Sequence, residues 1–286
     1  MRYVTYERQG GKAVGIVDSL NGLVIEPTSL DWPGDMITLI KRGSVKQNPF
    51  GNSLPLEEVK LLAPILNPSK NIICIGRNYR EHISEFAKVS QTEDKPPEVP
   101  VFFTKAPTAI IGHGQAITFN PKISEKIDWE GELAVIIGRQ GRDISEEAAL
   151  DYIFGYTCLN DVTARDLQKS HNQWFKGKSL DTFAPLGPWI VTADEIGDPQ
   201  NLRLELRVNG VTKQEGHTKD MIFTIRQIIA SLSSGFTLEP GDIIATGTPS
   251  GVGFARFPPE FLKNGDVVEV EIEKIGVLRN GVISLS

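Results

Sequence analysis

A chain of 286 residues, 40% hydrophobic and 23% charged, has an ordinary globular composition and enough length to bury a substantial core. The net charge of −6 leaves no basic footprint, which argues against a nucleic-acid partner. No apolar run reaches the length of a membrane span, residues 1–6 alternate rather than read as a signal peptide, and the expected compartment is cytoplasmic.

Residues 3–6, 13–18 and 23–26 read as short strands, with Gly10-Gly11 and Asn21-Gly22 as turns. Residues 35–41 suit one short helix, 56–62 are extended and apolar, and the proline-flanked stretch 64–68 is a stiff connector. The expected boundary lies there, with 1–66 a small β-rich N-terminal domain lacking clustered reactive side chains and 67–286 the catalytic domain. Residues 71–76 form a buried strand ending at Gly76, and 77–86 look helical. The polar, proline-bearing stretch 90–100 is a loop of the kind that makes lids. Another strand covers 101–105, and 116–119 lead to an unusual stretch, Asp128-Trp129-Glu130-Gly131-Glu132, which runs into five apolar residues, 133–137.

A strand beginning near Trp129 sends Glu130 and Glu132 to one face, about 7 Å apart. Two ionised carboxylates at that spacing repel by roughly 2 kcal/mol at an effective dielectric of about 20. A strand with a buried continuation would not keep that cost for packing. Either the face is wet or something positive sits over the pair.

Further along, Ser145 is a credible cap for a helix through about residue 152, with Glu146 and Glu147 in its first turn. Residues 156–159 form a strand that delivers Asn160-Asp161. A helical turn at 163–168 then lets Asp161, Arg165 and Gln168 face one direction. Residues 175–179 read as a loop and 188–192 as extended. Leu202, Leu204, Leu206 and Val208 alternate with polar residues and meet a hairpin turn at Asn209-Gly210. Met221, Ile222, Ile225, Ile228, Ile229 and Leu232 keep helical spacing up to Gly235. Val268, Val270 and Ile272 alternate with glutamates, giving a half-buried strand with a solvated acidic face, and Asn264-Gly265 and Asn280-Gly281 supply further turns. Cys74 and Cys158 sit inside apolar runs as small core residues, with a single disulfide left open. Strands outnumber the few short helices, so the fold class is α+β, mostly β, and a doubly wound α/β fold is disfavoured.

Glu130, Glu132 and Asp161 are close enough in sequence for neighbouring strands to unite them. Without a nearby Cys or His ligand they make an all-oxygen site, suited to a hard cation such as Mg²⁺, Mn²⁺ or Ca²⁺. On spacing alone they are equally readable as surface acids and helix caps. Asp128 shares their parity, and since a fourth charge would overfill the site, a hydrogen-bonding role is favoured for it. His82 and Glu85, at i and i+3, suit an acid–base pair or a solvated ion pair. Lys178 could neutralise an oxyanion or simply be solvated. Gly247 to Gly253 could let backbone N–H groups approach an anion or be a tight turn.

Taken together, the motifs resemble those of the fumarylacetoacetate hydrolase superfamily. They are Gly76-Arg77-Asn78-Tyr79 with His82 and Glu85, Asp128-Trp129-Glu130-Gly131-Glu132-Leu133, and Asn160-Asp161-Val162-Thr163-Ala164-Arg165-Asp166 with Gln168. Lys176-Gly177-Lys178-Ser179 and Thr246-Gly247-Thr248-Pro249 follow in the family's order. Within it the chain looks most like the FAH domain-containing protein 2-like group, with its acylpyruvate hydrolases and oxaloacetate decarboxylases, and not like true fumarylacetoacetase. That enzyme has an additional metal-site aspartate where Asn78 and Tyr79 stand here.

The resemblance implies a mixed β-sandwich or roll with short helices and a small N-terminal domain, assembled as a homodimer. It implies Mg²⁺ or Mn²⁺ on Glu130, Glu132 and Asp161, with His82 and Glu85 carried on a closing lid. It sets Arg165, Gln168 and Lys178 around the reacting carbonyls and Thr248 near a substrate carboxylate, while Tyr79 and Lys105 lie in matching stretches without a role. The expected reaction is hydrolysis of a C–C bond in a 2,4-dioxo acid. Water is activated by the His82–Glu85 pair, and a pyruvate enolate is stabilised by the cation and Lys178. Oxaloacetate decarboxylation reaches the same enolate without water, and a 2-hydroxydienedioate isomerase or lyase could use the same centre. A non-catalytic protein binding metal or a small acid is the reading from another class. Retention of His82, Glu85 and Lys178 beside the trio counts against it.

Overall fold

The apolar run that follows the acidic stretch becomes the strand Gly131–Ile137, buried along its whole length in a computed structural model. The structure describes residues 1–8, 11–44, 51–90 and 94–285, apart from the side chains of 89 and 90. Gly10 of the expected Gly10-Gly11 turn and part of the expected 90–100 loop lie outside the described residues.

Gly131–Ile137 sits inside an 11-stranded sheet, between Ile153–Asn160 and Ile243–Ala245, both antiparallel to it. Ile243–Ala245 then pairs in parallel with Ile72–Gly76, which pairs with the edge strand Val101–Lys105. In the other direction, Ile153–Asn160 is followed by Ala184–Thr192 and then by Arg2–Arg8, Gly11–Asp18, Leu23–Pro27 and Gly51–Pro55. The N-terminal strands therefore continue the main sheet, joined to it by Arg2↔Val191 and Tyr3↔Ile190.

A second sheet of five strands runs Val211–His217, Arg203–Val208, Val267–Ile272, Gly276–Ser284, Ile117–Phe119. Leu204, Leu206, Val268, Val270 and Ile272 are all buried, as their alternation requires. Gly131 marks where the two sheets meet, since a Cβ there would lie 3.3 Å from Leu206. The strand thus turns its glycine toward the second sheet and its two flanking glutamates away from it. The acidic face of Val267–Ile272 is more than solvated. Arg207 reaches Glu269 at 3.1 Å and Glu271 at 2.7 Å.

Strand dominance and the α+β class follow the sequence. Local departures have local causes. The segment after Ser145 makes only the 3-10 turn Ala149–Tyr152, with Ser145 accepting the Ala148 N–H at 3.4 Å and the Tyr152 carbonyl accepting the Gly138 N–H at 2.7 Å where the chain joins the sheet. Residues 175–178 form the short helix Phe175–Lys178 rather than a loop. Residues 56–58 form a 3-10 turn, and the extended strand precedes it at Gly51–Pro55. Asn280-Gly281 is no turn but lies within Gly276–Ser284, where the Asn280 amide donates to the carbonyls of Gly112 and Gln115 at 2.8 Å each. The helix expected from Met221 starts at Ile225, capped by Thr224 and Gln227 bonding to each other's backbone N–H. Cys74 and Cys158 are free and buried. Among the described residues no helix is long and apolar enough to cross a membrane.

Candidate active site and metal centre

Two adjacent strands assemble the acidic trio. Glu130 and Glu132 flank the start of Gly131–Ile137, and Asp161 follows the end of Ile153–Asn160, whose Asn160 is in register with Gly131. Backbone bonding fixes the junction, with Asp161 N–H donating to the Glu130 carbonyl at 2.8 Å and Glu130 N–H to Asn160 Oδ1 at 3.0 Å. One carboxylate oxygen from each of Glu130, Glu132 and Asp161 lies within 4.8 Å of the others, all three residues being buried.

Three cations share this ground unevenly. Lys178 Nζ donates to Glu130 Oε2 and Asp161 Oδ2, each at 2.7 Å, and Arg165 Nη1 reaches Glu130 Oε1 at 2.7 Å. Lys105, fully buried, donates to Asp161 Oδ1 at 2.6 Å and to the Val162 carbonyl at 3.1 Å. Glu132 makes no ion pair among the described residues and accepts the Gly247 N–H at 2.8 Å.

The electrostatics follow. Burial opposes ionisation of Glu130, but the Lys178 and Arg165 charges outweigh it and hold its carboxyl down at about 2. Burial and the neighbouring Asp161 and Glu130 charges push Glu132 well above the usual carboxylate range. Burial lowers Lys105, whereas for Lys178 the same burial is overcome by Asp161 and Glu130, which raise it. A buried carboxylate without a counter-charge, facing two others at ligand spacing, fits a hard divalent cation. Glu130, Glu132 and Asp161 would hold it.

Lys178 reaches the trio through the helix Phe175–Lys178, which packs tightly on Arg165–Ser170. A Cβ on Gly177 would lie 2.5 Å from the Gln168 backbone nitrogen. Gln168 in turn accepts from Arg165 Nη1 at 3.1 Å.

The helix Arg80–Ser90, the expected lid, lies on the other side. His82 Nδ1 lies 2.9 Å from Glu85 Oε1, and Glu85 Oε2 accepts the Gly251 N–H at 2.9 Å. The Ser250 hydroxyl donates to Glu81 at 3.1 Å, and Phe86 meets Phe254 edge-on at 5.3 Å between ring centres. The stretch Gly247 to Gly253 thus acts as a clasp for the lid as well as the donor to Glu132. Gly247 has φ +100°, and a Cβ there would lie 2.8 Å from Asn78 Cβ.

Together these residues enclose a cavity of about 40 Å³ whose walls include His82, Glu130, Glu132, Arg165, Gln168, Lys178 and Thr248. Arg165 Nη2 and the Tyr79 hydroxyl are buried and have no hydrogen-bond partner among the described residues. The Thr248 hydroxyl donates to the Gly131 carbonyl at 2.9 Å and accepts from Gln214 at 2.8 Å. Asp128 takes four donors: its own chain's Trp129 N–H, Gly253 N–H, Phe254 N–H and the Arg165 Nε–H. Sequence reasoning gave it a hydrogen-bonding role but not these partners, and it missed Lys105, whose only signal was its place in a matching stretch.

With this geometry in hand, comparison with known proteins is decisive. Residues 71–283 match the fumarylacetoacetate (FAA) hydrolase C-terminal family, and residues 1–64 match the Rv2993c-like N-terminal family. The chain belongs to the fumarylacetoacetate hydrolase family. Oxaloacetate tautomerase YisK of Bacillus subtilis is 53% identical over 227 residues, 79% of this chain and 74% of that protein. The mitochondrial oxaloacetate tautomerase Fahd2a of Rattus norvegicus is 41% identical over 280 residues, 94% of this chain and 87% of its own length. Among solved structures, a fumarylacetoacetate hydrolase from Exiguobacterium antarcticum superposes with TM-score 0.88 at 42% identity over 100% of both chains. A 2-hydroxyhepta-2,4-diene-1,7-dioate isomerase from Mycobacterium marinum gives 0.79 at 37% identity, covering 99% of this chain and 98% of its own. The chain is therefore a member of an enzyme family whose relatives act on small organic acids.

Proposed function

We propose that this protein is a metal-dependent enzyme that moves a proton on a small 2-oxo acid, interconverting the enol and keto forms of oxaloacetate or a close analogue. The observation that carries the reading is the His82–Glu85 pair, 2.9 Å apart, on the same small cavity as Glu130, Glu132, Arg165 and Lys178. A proton carrier facing fixed positive charge is what enolisation needs, and the cavity that holds both is lined by Glu130, Arg165 and Lys178. Two relatives named as oxaloacetate tautomerases support the choice of substrate.

Mg²⁺ or Mn²⁺ is the expected cation, on Glu130, Glu132 and Asp161, where it supplies polarisation of the 2-oxo group. The remaining steps belong to side chains. Glu85 takes the Nδ1–H of His82, so that Nε2 is free to accept a proton from C3 of the acid. Lys178 has one N–H beyond those given to Glu130 and Asp161. That donor and its charge stabilise the enolate oxygen. Arg165, steadied by Gln168 and Asp128, turns its unpaired Nη2 to the substrate carboxylate. Thr248 holds the Gly131 carbonyl in the cavity wall and lies near that carboxylate. His82 returns its proton to the enolate oxygen, so nothing is gained or lost.

The same pair favours a second reading, hydrolysis of a 2,4-dioxo acid. His82 would then take its proton from water, which attacks the 4-carbonyl. Decarboxylation of oxaloacetate needs no such base. Purified protein with Mg²⁺ or Mn²⁺ should be given enol and keto oxaloacetate and acetylpyruvate, with ultraviolet absorbance and product identity recorded. Enol–keto exchange without carbon dioxide supports the tautomerase. Pyruvate plus acetate would make it a hydrolase, carbon dioxide a decarboxylase, and silence on every 2-oxo acid a binding protein. With the reading go a homodimer, which light scattering on the purified chain checks, and a cytoplasmic location, which fractionation of the expressing cells checks.

A further inference from the structure

Arg77 is the one cavity-lining residue that combines a full charge, a strained backbone and no acidic partner. It follows the strand Ile72–Gly76 and has φ +57°, a left-handed conformation that few residues other than glycine adopt. Its neighbours hold it there. A Cβ on Gly76 would lie 2.6 Å from the Trp174 ring, so the chain is pressed against that side chain. The Asn78 side chain donates to the Thr246 and Phe223 carbonyls at 2.8 and 3.1 Å and accepts the Phe223 N–H at 2.8 Å. Pinned on both sides, Arg77 leaves the end of an interior strand and, being exposed, lines the cavity at its solvent-facing mouth.

Among the described residues Arg77 makes no ion pair. Its guanidinium lies 5.8 Å from the ring centre of Phe86, on the lid helix. Phe86 meets Phe254, and Arg165 lies 4.5 Å from the Phe254 ring centre. The two arginines, both lining the cavity, are thus joined through the Phe86–Phe254 pair. Arg165 has commitments on its inner side, to Asp128 and Glu130. Arg77 has none, and apolar Phe103, Trp174 and Ile75 nearby sharpen its field.

We propose that Arg77 binds the second carboxylate of a 2-oxo dicarboxylic acid and is the residue that selects such diacids over 2-oxo monocarboxylates. The inference rests on the reading above, in which the 2-oxo acid end lies at the trio, Lys178 and Arg165. The second carboxylate then points toward the mouth, where the arginine that is not yet paired is waiting. Binding it costs little reorganisation, because the backbone that carries the arginine is already held.

The test compares wild type with Arg77→Asn, which removes the charge yet tolerates a left-handed backbone, and with Arg77→Lys. Three probes are used: oxalate by calorimetry on the Mn²⁺-loaded protein, and initial rates on oxaloacetate and its 4-methyl ester. The ester is identical at the 2-oxo end and lacks the second charge. Wild type should favour the diacid over the ester by about tenfold or more in kcat/KM. Arg77→Asn should bring that ratio close to one by raising KM for oxaloacetate, with oxalate affinity unchanged, and Arg77→Lys should restore part of it. An unchanged ratio in Arg77→Asn, with oxalate still bound, overturns the role of Arg77 alone. Failure of wild type to bind oxalate or to turn over either acid overturns the parent reading, and the inference with it.

Discussion

Asp128 holds Arg165 through a 2.7 Å bond from the guanidinium Nε, and the same carboxylate accepts the N–H groups of Gly253 and Phe254. One buried acid therefore sets both a cavity arginine and the clasp that receives the lid. Asp128→Ala should leave the Arg165 charge buried without this partner and destabilise the protein by about 3–5 kcal/mol, read by denaturant unfolding. Asp128→Asn keeps the volume and should lose less stability while still lowering kcat. Full activity in Asp128→Asn would show that Arg165 and the clasp need no common anchor.

Glu130→Gln removes a proposed metal ligand and also the partner of Lys178 and Arg165. Loss of an outer partner of a metal site costs about 10–100-fold in affinity, and loss of a ligand should cost more. Calorimetric titration with Mn²⁺ measures this directly. Unchanged affinity would remove Glu130 from the metal centre.

Glu132 makes the metal-free protein sensitive to pH. Its folded-state value stands above the ordinary 4.5, so the folded protein holds the extra proton. Its contribution to stability is fully present below 4.5 and is lost as the pH rises through the folded value. Glu130 runs the other way, its contribution being lost as the pH falls from 4.5 toward about 2, so the two windows do not overlap. The melting temperature of chelator-treated protein should decline as pH rises on the alkaline side of 4.5, and Glu132→Gln should flatten that decline. An identical slope in the variant would assign it to other groups.

His82→Ala and Glu85→Gln separate proton transfer from carbon–carbon cleavage that needs no base. Each should lower enol–keto exchange, His82→Ala by about 10²–10⁴-fold, and should affect any decarboxylation far less. Parallel losses in both reactions would mean that the pair serves lid closure rather than proton movement.

Gly177→Ala tests the seat of Lys178. The added Cβ would press on the Gln168 backbone nitrogen from 2.5 Å, an overpacking worth about 1–3 kcal/mol. Reduced kcat with a smaller loss of Mn²⁺ binding is the expected pattern, because the backbone that carries Glu130, Glu132 and Asp161 belongs to other elements and only the Lys178 bonds to Glu130 and Asp161 come from that helix.

Periodicity grouped the site's residues as candidates, and the resemblance to a known family singled them out. Glu130 and Glu132 alternate on a strand, Asp161 ends the next one, and His82 with Glu85 occupies adjacent turns of a helix. What stayed hidden depends on partners far apart in the chain. Lys105 is 56 residues from the Asp161 carboxylate it bonds, and Asp128 is 125 from Gly253. No local pattern encodes such pairs. Phe175–Lys178 read as a loop because four residues are too few for helical spacing to register, whereas Ser145 does accept the Ala148 N–H as a cap would, although only a 3-10 turn follows it. The fold class was readable from strand alternation, whereas the order of strands in the large sheet was not.

Ile72–Gly76 and Ile243–Ala245 run parallel as neighbours, so the chain leaves the sheet twice at one edge, into the lid and into its clasp. The trio and Lys178 come from elsewhere, from the ends of Gly131–Ile137 and Ile153–Asn160 and from the short helix Phe175–Lys178. The helix that follows Gly76 carries the proposed proton carrier, His82 with Glu85, as well as lying next to Arg77, so the base and the choice of reactant travel on one length of chain over a cation site built elsewhere.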